Sequence, residues 1–406
     1  MRKLLSKTAV VLAIALCSTS CKKNMDQAGP TQEMNSDKPG NTSRGLYTTA
    51  ELQDFSNKLA TKMDGKCAGY SYIISYKGNF VTSKSGGFSR FVPDFPIRQF
   101  SVNDRYSIAS VSKTITATAL MNTLNAWGGI DLNLDLPMWT YLPSHWVMGP
   151  GVKTITYRQL LTHTSGLRYD PIPLNPQNGD DYQTLKNLLA KGIMMFNKVP
   201  SYNNRNFALM RLLIPKLAAY NVPPIAAGTQ GVLLSALENI QASQFAEDYK
   251  DYCRKVIFSK MSSTSGQTID CKMNDTHPGL CYTFPGNGAA GILAGQDLTL
   301  SSAAQGWVLS TTQVNEFFTK LHYSSSIIPA SLATMMKSGM LGYDVAGTLS
   351  DGTTYFWKNG IYFIGNNVGY RSLIIGFSDD IQVTIMANST MTLEDAATAA
   401  HQLWHP

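Results

Sequence analysis

The chain has 406 residues, of which 44% are hydrophobic, 10% aromatic and 15% charged. This composition excludes an intrinsically disordered protein and is sufficient for one large domain or two smaller domains with a sizeable core. The formal net charge is +7, with 34 Lys and Arg residues against 27 Asp and Glu residues. Because this surplus is modest and forms no long basic stripe, nucleic-acid binding is not expected.

The first segment predicts export. Residues 1–20 begin with basic side chains and continue with the apolar stretch 8–16, which is too short to span a bilayer. Small residues then precede Cys21, an arrangement that resembles the cleavage site of bacterial lipoproteins. We expect a signal peptide over 1–20, a lipid anchor on Cys21 and a periplasmic or cell-surface location, with simple secretion as the alternative. Residues 21–46 are polar and rich in Pro, Gly, Asn and Ser, which predicts a flexible membrane tether.

The remaining residues, 47–406, are expected to form one domain. Its first part predicts a helix over 48–63 and then a hairpin of two strands around Lys77-Gly78. Residues 88–104 are predicted to be irregular.

The middle of the chain is predominantly helical. A buried helix is predicted over 114–127, where Pro and Gly are absent, and Gly128-Gly129 is expected to end it. Residues 262–291 predict a long connection rich in Ser, Thr, Gly and Asn. The other predicted helices cover residues 156–163, 183–196, 204–219 and 242–258.

Strands return in the last part of the chain, between a helix at 311–321 and a closing helix at 393–404. The pattern predicts an α+β fold with one antiparallel sheet, built from the sheet regions 47–109 and 300–406 and flanked by helices. A mostly helical lobe, 110–299, is expected to be inserted between the two regions. The strands are predicted at 353–358, 371–377 and 382–387.

Cys67, Cys253, Cys271 and Cys281 follow the export segment. An oxidising compartment permits disulfides, and four cysteines allow three pairings. Cys271 and Cys281 flank a polar loop that a disulfide could close. Free buried thiols are the alternative.

The most informative motif is Ser110-Val111-Ser112-Lys113. A serine hydroxyl is a poor nucleophile until a base takes its proton. On a helix, positions i and i+3 share a face, so the amine of Lys113 is expected beside the Ser110 oxygen. Ser110 would lie in the first turn, where unpaired backbone N–H groups favour developing negative charge. Taken alone, the motif is more often an N-capping serine with a surface lysine.

A second group, Tyr202-Asn203-Asn204, is predicted to lie in a loop before a helix. A tyrosine beside a lysine can act as base in acylation and as acid toward the leaving group. Flanking cations would stabilise its phenolate. The amide of Asn204 could hold a substrate carbonyl or the active-site lysine, although a surface loop tyrosine is the simpler interpretation of the triplet alone.

The third group, Lys358-Asn359-Gly360, is expected at the end of a strand. The lysine would place a positive field over the nucleophile, and the glycine would let substrate approach the strand backbone closely. Two other K-x-G matches begin at Lys84 and Lys337. The first precedes the nucleophile and the second is predicted to have no following strand.

Residues 160–167, Leu-Leu-Thr-His-Thr-Ser-Gly-Leu, follow the serine helix and closely resemble a signature of the serine β-lactamase-related hydrolases. That family includes class C β-lactamases, low-molecular-weight penicillin-binding proteins, D-amino-acid peptidases and esterases. The stretches 129–132, 201–209 and 369–388 are similar to it as well, and the resemblance covers roughly residues 50–404. It implies a β-lactamase/transpeptidase-like fold.

The resemblance also implies roles for the motif residues. Ser110 would be the nucleophile, Lys113 its partner base and Tyr202 the proton shuttle. The oxyanion hole would be formed by the backbone N–H groups of Ser110 and Ile361, each such donor contributing about 3 kcal/mol to transition-state stabilisation. The expected substrate-binding residues are Asn204, Lys358, Asn359 and Gly360.

A serine with a histidine suggests a catalytic triad, but the resemblance implies that His163 has a structural role. No metal-ligand spacing is found among the other histidines, and we expect neither a metal nor a cofactor. These histidines are His145, His277, His322, His401 and His405.

The sequence therefore predicts a secreted serine hydrolase that forms an acyl-enzyme on Ser110. Candidate substrates are D-amino-acid peptides such as those of peptidoglycan, small esters or amides, and β-lactams. The alternatives are a catalytically inactive member of the same fold that binds cell-wall peptides or other ligands, and a structural lipoprotein that docks to the cell wall.

Overall fold

The computed structural model describes residues 46–126, 133–167, 181–194, 198–262, 269–286, 288–293, 295–364 and 368–405. The predicted signal peptide, Cys21, the tether up to residue 45 and the glycine pair Gly128-Gly129 lie outside these ranges. Within them, no helix combines the length and the apolar character needed to cross a membrane.

The strands come from both ends of the chain and include the hairpin predicted near the N-terminus. Lys77 and Gly78 have φ values of 49° and 76°. A two-residue turn that follows the twist of its strands requires positive φ at both positions. The strands are β1 (Gly69–Tyr76), β2 (Asn79–Arg90), β3 (Arg98–Gln99), β4 (Arg105–Ser107), β5 (Val308–Ser310), β6 (Val345–Thr348), β7 (Thr354–Phe363), β8 (Gly369–Phe377) and β9 (Ile381–Ala387).

Seven of these strands form an antiparallel sheet in the order β3-β2-β1-β9-β8-β7-β6. β1 pairs directly with β9, so that Tyr72 lies opposite Ile385. β4 and β5 pair separately and join the chain that enters the helical lobe to the chain that leaves it. The predicted α+β class is confirmed, with one antiparallel sheet built from N- and C-terminal segments around an inserted helical lobe.

The helices differ from the predicted ones mainly at their ends. The helix predicted to begin at residue 242 begins at Gly231, and the one predicted over 204–219 is two helices that meet at Leu209. Gly192, with φ of 91°, ends a helix that was predicted to reach residue 196. The helices are α1 (Thr49–Met63), α2 (Ser112–Asn125), α3 (Tyr157–Leu161), α4 (Tyr182–Lys191), α5 (Asn204–Ala208), α6 (Met210–Leu217), α7 (Gly231–Val256), α8 (Thr311–Tyr323), α9 (Ala330–Ser338) and α10 (Leu393–Trp404).

Two sequence predictions about strands were wrong. Residues 88–104 are not wholly irregular, because β2 continues to Arg90 and β3 pairs with it. The segment that begins with Lys337 was expected to have no following strand, but β6 follows it and pairs with the first half of β7. Both missed strands are short and lie at the edges of the sheet, where the apolar alternation of a strand is weakest.

The sheet is covered on both faces, and this explains why its central strands are continuous apolar runs. Helices α1 and α10 pack on one face, where Leu373, Ile375 and Phe377 of β8 belong to their core. Helix α8 and the helical lobe cover the other face, whose core includes Ile374. Successive residues of a strand therefore point into different layers.

The four cysteines of the domain, Cys67, Cys253, Cys271 and Cys281, are buried and free. Of the two alternatives for Cys271 and Cys281, the structure contains the free thiols. Burial raises the pKa of the Cys253 thiol to about 12, which disfavours the reactive thiolate.

Candidate active site

Ser110 lies at the base of α2, in the short 3-10 turn Ala109–Val111 that leads into the helix. Ala109, directly before it, is fully buried and has φ of 43°, a left-handed conformation that is strained by about 1–3 kcal/mol for a residue with a side chain. Two hydrogen bonds hold this strained segment. The Ala109 N–H donates to Ser107 Oγ at 3.2 Å, and Ser372 Oγ donates to the Ile108 carbonyl at 2.7 Å.

Gly360 of β7 packs directly against this segment. A Cβ atom at residue 360 would lie 2.3 Å from the Ile108 carbonyl oxygen, 2.3 Å from Ser372 Oγ and 3.1 Å from Ala109 Cβ. The structural requirement for glycine is therefore contact with the backbone below the nucleophile. The close approach of substrate to this glycine stays a prediction.

Lys113 is fully buried one helical turn after Ser110. Its Nζ donates to Ser110 Oγ at 2.9 Å, to Asn204 Oδ1 at 2.8 Å and to the Ala304 carbonyl at 2.8 Å. Ala304 belongs to a π-helical turn over Ser302–Gly306, a geometry that is frequent at functional sites. Together with the Tyr202 hydroxyl, these acceptors surround the Lys113 amine.

Tyr202 completes the contacts of the serine, since its hydroxyl lies 2.7 Å from Ser110 Oγ. The Nζ atoms of Lys113 and Lys358 lie 5.1 Å and 5.0 Å from the centre of its ring. Burial by itself raises the pKa of Tyr202, but the two lysine charges and the hydrogen bonds from Lys113 and Ser110 outweigh it, so the pKa is lowered. Tyr202 is 49% exposed, so part of the residue is open to solvent.

His163 supports the tyrosine loop. Its ring lies 4.5 Å from that of Tyr202, and its Nδ1 accepts from the Asn203 N–H and from Asn206 Nδ2, each at 3.2 Å. Burial, followed by the charges of the two active-site lysines, lowers the pKa of His163 to about 3. A neutral imidazole whose Nδ1 is already an acceptor fits the structural role that the resemblance implied. The backbone agrees, since the N–H of Ser201 donates to the His163 carbonyl at 2.9 Å.

Lys358 is 1% exposed and forms an ion pair with Asp344, with Nζ and Oδ1 2.5 Å apart. Asp344 lies just before β6, and its N–H donates to the Trp357 carbonyl at 3.0 Å. This carboxylate was not predicted, because nothing in its spacing connects it with the Lys358 motif. Its charge compensates that of Lys358, so the positive field expected over Ser110 is weaker than one free lysine would give.

Asn359 does not join this group of side chains, contrary to the sequence prediction. Residues 358 and 359 are neighbours on a strand, so their side chains point to opposite faces of the sheet. The Nδ2 of Asn359 donates to Glu394 Oε1 of α10 at 2.9 Å, in the layer that lies behind the site. Only its backbone remains on the side of Ser110.

Among the residues that the structure describes, β6 pairs only with Thr354–Trp357 of β7, so Ile361 lies where this edge of β7 has no partner strand. On the β8 side, Ile364 N–H donates to the Val368 carbonyl at 2.8 Å, whereas the Trp357 carbonyl is turned toward β6 and accepts from Asp344. The N–H and carbonyl groups of successive residues point alternately to the two edges of an antiparallel strand. Ile361, four residues after Trp357, therefore points to the same edge as Trp357, and Ile364 points to the other edge. The N–H of Ile361 is therefore directed to the unpaired edge, as the predicted oxyanion hole requires.

The prediction that the histidines do not cluster is wrong for His401 and His405. These two side chains and Asp379 bring their ligand atoms within 4.8 Å of one another, behind the sheet and away from Ser110. The signal was present in the sequence, since positions i and i+4 of a predicted helix share a face.

Comparisons with known proteins agree with this fold. Residues 55–222 match the family model described as Beta-lactamase, a range that contains Ser110, Lys113, Tyr202 and Asn204. The chain is 27% identical over 224 residues to the Bacillus subtilis (strain 168) protein named "Putative penicillin-binding protein PbpX". That match covers 51% of this chain and only 53% of the relative, so the chain spans about half the length of the relative it matches.

Two solved structures illustrate the likeness of fold. FmtA from Staphylococcus aureus has a TM-score of 0.62 at 16% identity, with 90% of this chain and 92% of that chain covered. A D-amino acid amidase from Ochrobactrum anthropi SV3, in complex with L-phenylalanine, has a TM-score of 0.62 at 15% identity, with 88% and 100% covered. The predicted resemblance to the serine β-lactamase-related proteins and the predicted β-lactamase/transpeptidase-like fold are confirmed.

Proposed function

We propose that this serine β-lactamase-related protein is a hydrolase that forms an acyl-enzyme on Ser110. One observation carries the proposal: Ser110 Oγ is within hydrogen-bond distance of both Lys113 Nζ, at 2.9 Å, and Tyr202 Oη, at 2.7 Å. A nucleophile needs a group that takes its proton and a group that stabilises the oxygen left behind. The two neighbours of Ser110 can divide these tasks between them.

Tyr202 is the better candidate for the base. Lys113 donates its hydrogens to three acceptors, whereas the lowered pKa of Tyr202 favours a phenolate that can accept the Ser110 proton. Ser110 Oγ would then attack a carbonyl carbon, and Tyr202 would return the proton to the leaving amine or alcohol as the tetrahedral intermediate collapses. Water would hydrolyse the resulting ester by the reverse sequence and release the acid.

The unpaired edge of β7 supports binding of an extended substrate. A peptide-like chain could pair with the free backbone groups beyond Trp357 and extend the sheet, with its carbonyl near Ser110 and Ile361. The N–H groups of Ser110 and Ile361 would receive the developing oxyanion. Asn204 would hold Lys113 in place, and Lys358 would act mainly on Tyr202 and the substrate.

The charges of the site favour substrates without a free carboxylate. Lys113 and Lys358 carry two positive charges, while Asp344 and a Tyr202 phenolate carry two negative charges, so the group is neutral when it is ready to react. A terminal carboxylate on the substrate would therefore gain little electrostatic stabilisation from this site. We propose amides and esters of D-amino acids as the preferred class, ahead of D-Ala-D-Ala peptides and β-lactams.

The place of action is also a proposal. The export segment over 1–20 and the small residues before Cys21 support a lipoprotein held at the periplasmic or cell surface by its tether. Substrates outside the cytoplasm, including fragments of peptidoglycan, would then be accessible.

Acylation can be tested directly. Separate samples of the purified chain and its Ser110→Ala variant would be incubated with a fluorophosphonate to measure labelling, and with D-amino-acid p-nitroanilides, p-nitrophenyl esters, D-Ala-D-Ala peptides and nitrocefin to measure turnover. We expect stoichiometric labelling of the wild type, no labelling of the variant, and fastest turnover of the uncharged amides and esters. Equal labelling of both proteins would overturn the nucleophile assignment, and labelling without turnover of any substrate would favour a binding protein.

A further inference from the structure

The most distinct group of side chains outside the active site lies behind the sheet, in the α1 and α10 layer. Asp379 lies in the turn between β8 and β9. His401 lies in the last turn of α10, and His405 is the C-cap of that helix. One ligand atom from each residue lies within 4.8 Å of the others. Imidazole and carboxylate are ligands that Zn²⁺ accepts.

The distances suit one small cation. His401 Nε2 lies 2.8 Å from Asp379 Oδ2, and the hydroxyl of Tyr47 lies 3.1 Å from Asp379 Oδ2 and 3.0 Å from His405 Nε2. Zinc bonds of about 2.0–2.1 Å in a tetrahedron separate neighbouring ligand atoms by about 3.3 Å. Small side-chain shifts would therefore bring the three residues into coordinating positions, with the Tyr47 hydroxyl or a water as the fourth ligand.

The helix explains why the two histidines converge. The N–H of His405 donates to the His401 carbonyl at 3.0 Å, so the i, i+4 relation persists to the end of α10, and the ring centroids are 5.2 Å apart. This end of the helix carries partial negative charge from its unpaired carbonyls. A cation there is favoured by the helix end as well as by the Asp379 carboxylate.

Aromatic rings surround the group and fix its geometry. His401 is fully buried and stacks on Phe377 at 4.3 Å, and Trp404 lies 4.0 Å from His405. The Nε2 of His401 faces Asp379 and would be the coordinating atom, whereas its Nδ1 is buried without a hydrogen-bond partner among the described residues. Ligands held by packing lose little freedom when a metal binds.

We propose that Asp379, His401 and His405 bind a zinc ion that joins the turn between β8 and β9 to the end of α10. The neighbouring Tyr47 lies two residues before the start of α1. A metal bound there stabilises the layer in which the domain begins and ends. This site is separate from Ser110 and independent of the hydrolase proposal.

The test uses the full chain, purified with a tag that contains no histidine and freed of metal with a chelator. Titration with Zn²⁺ alone, followed by calorimetry, should give a single equivalent in the wild type. The His405→Gln variant should bind at least about tenfold more weakly. The control His277→Gln, which alters an exposed histidine elsewhere, and Ser110→Ala should bind like the wild type.

Cobalt absorption spectra and thermal melting test the site even if a variant is destabilised. Co²⁺ in place of Zn²⁺ should give intense tetrahedral absorption bands in the wild type that are absent in Asp379→Asn. Zinc should raise the melting temperature of the wild type and leave that of His405→Gln unchanged. Absence of stoichiometric zinc binding in the wild type, or equal affinity in the wild type and His405→Gln, would overturn the site.

Discussion

Replacing Tyr202 with Phe removes the hydroxyl that lies 2.7 Å from Ser110 Oγ and keeps the ring that packs at 4.5 Å on His163. If Tyr202 is the base, Ser110 keeps its proton in the variant, because Lys113 already donates to three acceptors. A positioned general base contributes about 10²–10⁴-fold to the rate. We therefore expect acylation to slow by about 10³-fold, equivalent to about 4 kcal/mol of activation free energy.

The assay is the second-order rate of fluorophosphonate labelling, measured by intact mass across a range of pH. In the wild type the rate should rise with pH as Tyr202 ionises, with a midpoint below the ordinary tyrosine pKa of 10. The rise should disappear in Tyr202→Phe. Difference absorbance between the two proteins should show one phenolate forming over the same pH range.

Urea unfolding of both proteins controls for misfolding, because loss of a single hydrogen bond is expected to cost only about 1 kcal/mol. Labelling of Tyr202→Phe at a rate close to that of the wild type, with the same pH dependence, would refute the assignment of the base. Lys113 would then be the candidate for the general base.

Three further substitutions test the surroundings of the site. Gly360→Ala places a Cβ 2.3 Å from the Ile108 carbonyl and should lower the free energy of unfolding by about 1–3 kcal/mol, whereas unchanged urea stability would contradict the packing role. Asp344→Asn leaves the buried charge of Lys358 without its partner and should cost about 3–5 kcal/mol in the same measurement; a neutral effect would show that the pair is dispensable. The folded-state pKa of His163 is about 3 against an ordinary 6.5, so its contribution to stability is complete above pH 6.5 and is lost as pH falls toward 3. The difference in the free energy of unfolding between the wild type and His163→Gln should become smaller over that pH range. A difference that does not change with pH would refute the lowered pKa of His163.

Local signals in the sequence predicted the elements that depend on local physics. The hairpin at Lys77-Gly78 follows from its turn residues, and the closing helix over 393–404 from its apolar periodicity, which reproduces the observed bounds. The order of the three motifs predicted which distant segments approach Ser110. The structure places Lys113, Tyr202 and Asn204 in one hydrogen-bonded group with it, although their catalytic roles remain predictions.

What the sequence did not reveal depends on tertiary contacts without a periodic signal. Asp344 meets Lys358 because an edge strand turns back on β7, and Ala304 meets Lys113 across 191 residues through a backbone carbonyl that any residue could supply. Two errors were avoidable. Strand alternation already places Asn359 on the face opposite Lys358, and helical spacing already pairs His401 with His405.

The central claim is that one serine oxygen becomes covalently acylated. Its most direct test is mass spectrometry of the purified chain, digested after brief exposure to a D-amino-acid p-nitrophenyl ester and quenched in acid. We expect a single acyl adduct on the peptide that contains Ser110, and no adduct in Ser110→Ala. An adduct on another residue, or ester hydrolysis that persists undiminished in that variant, would contradict it.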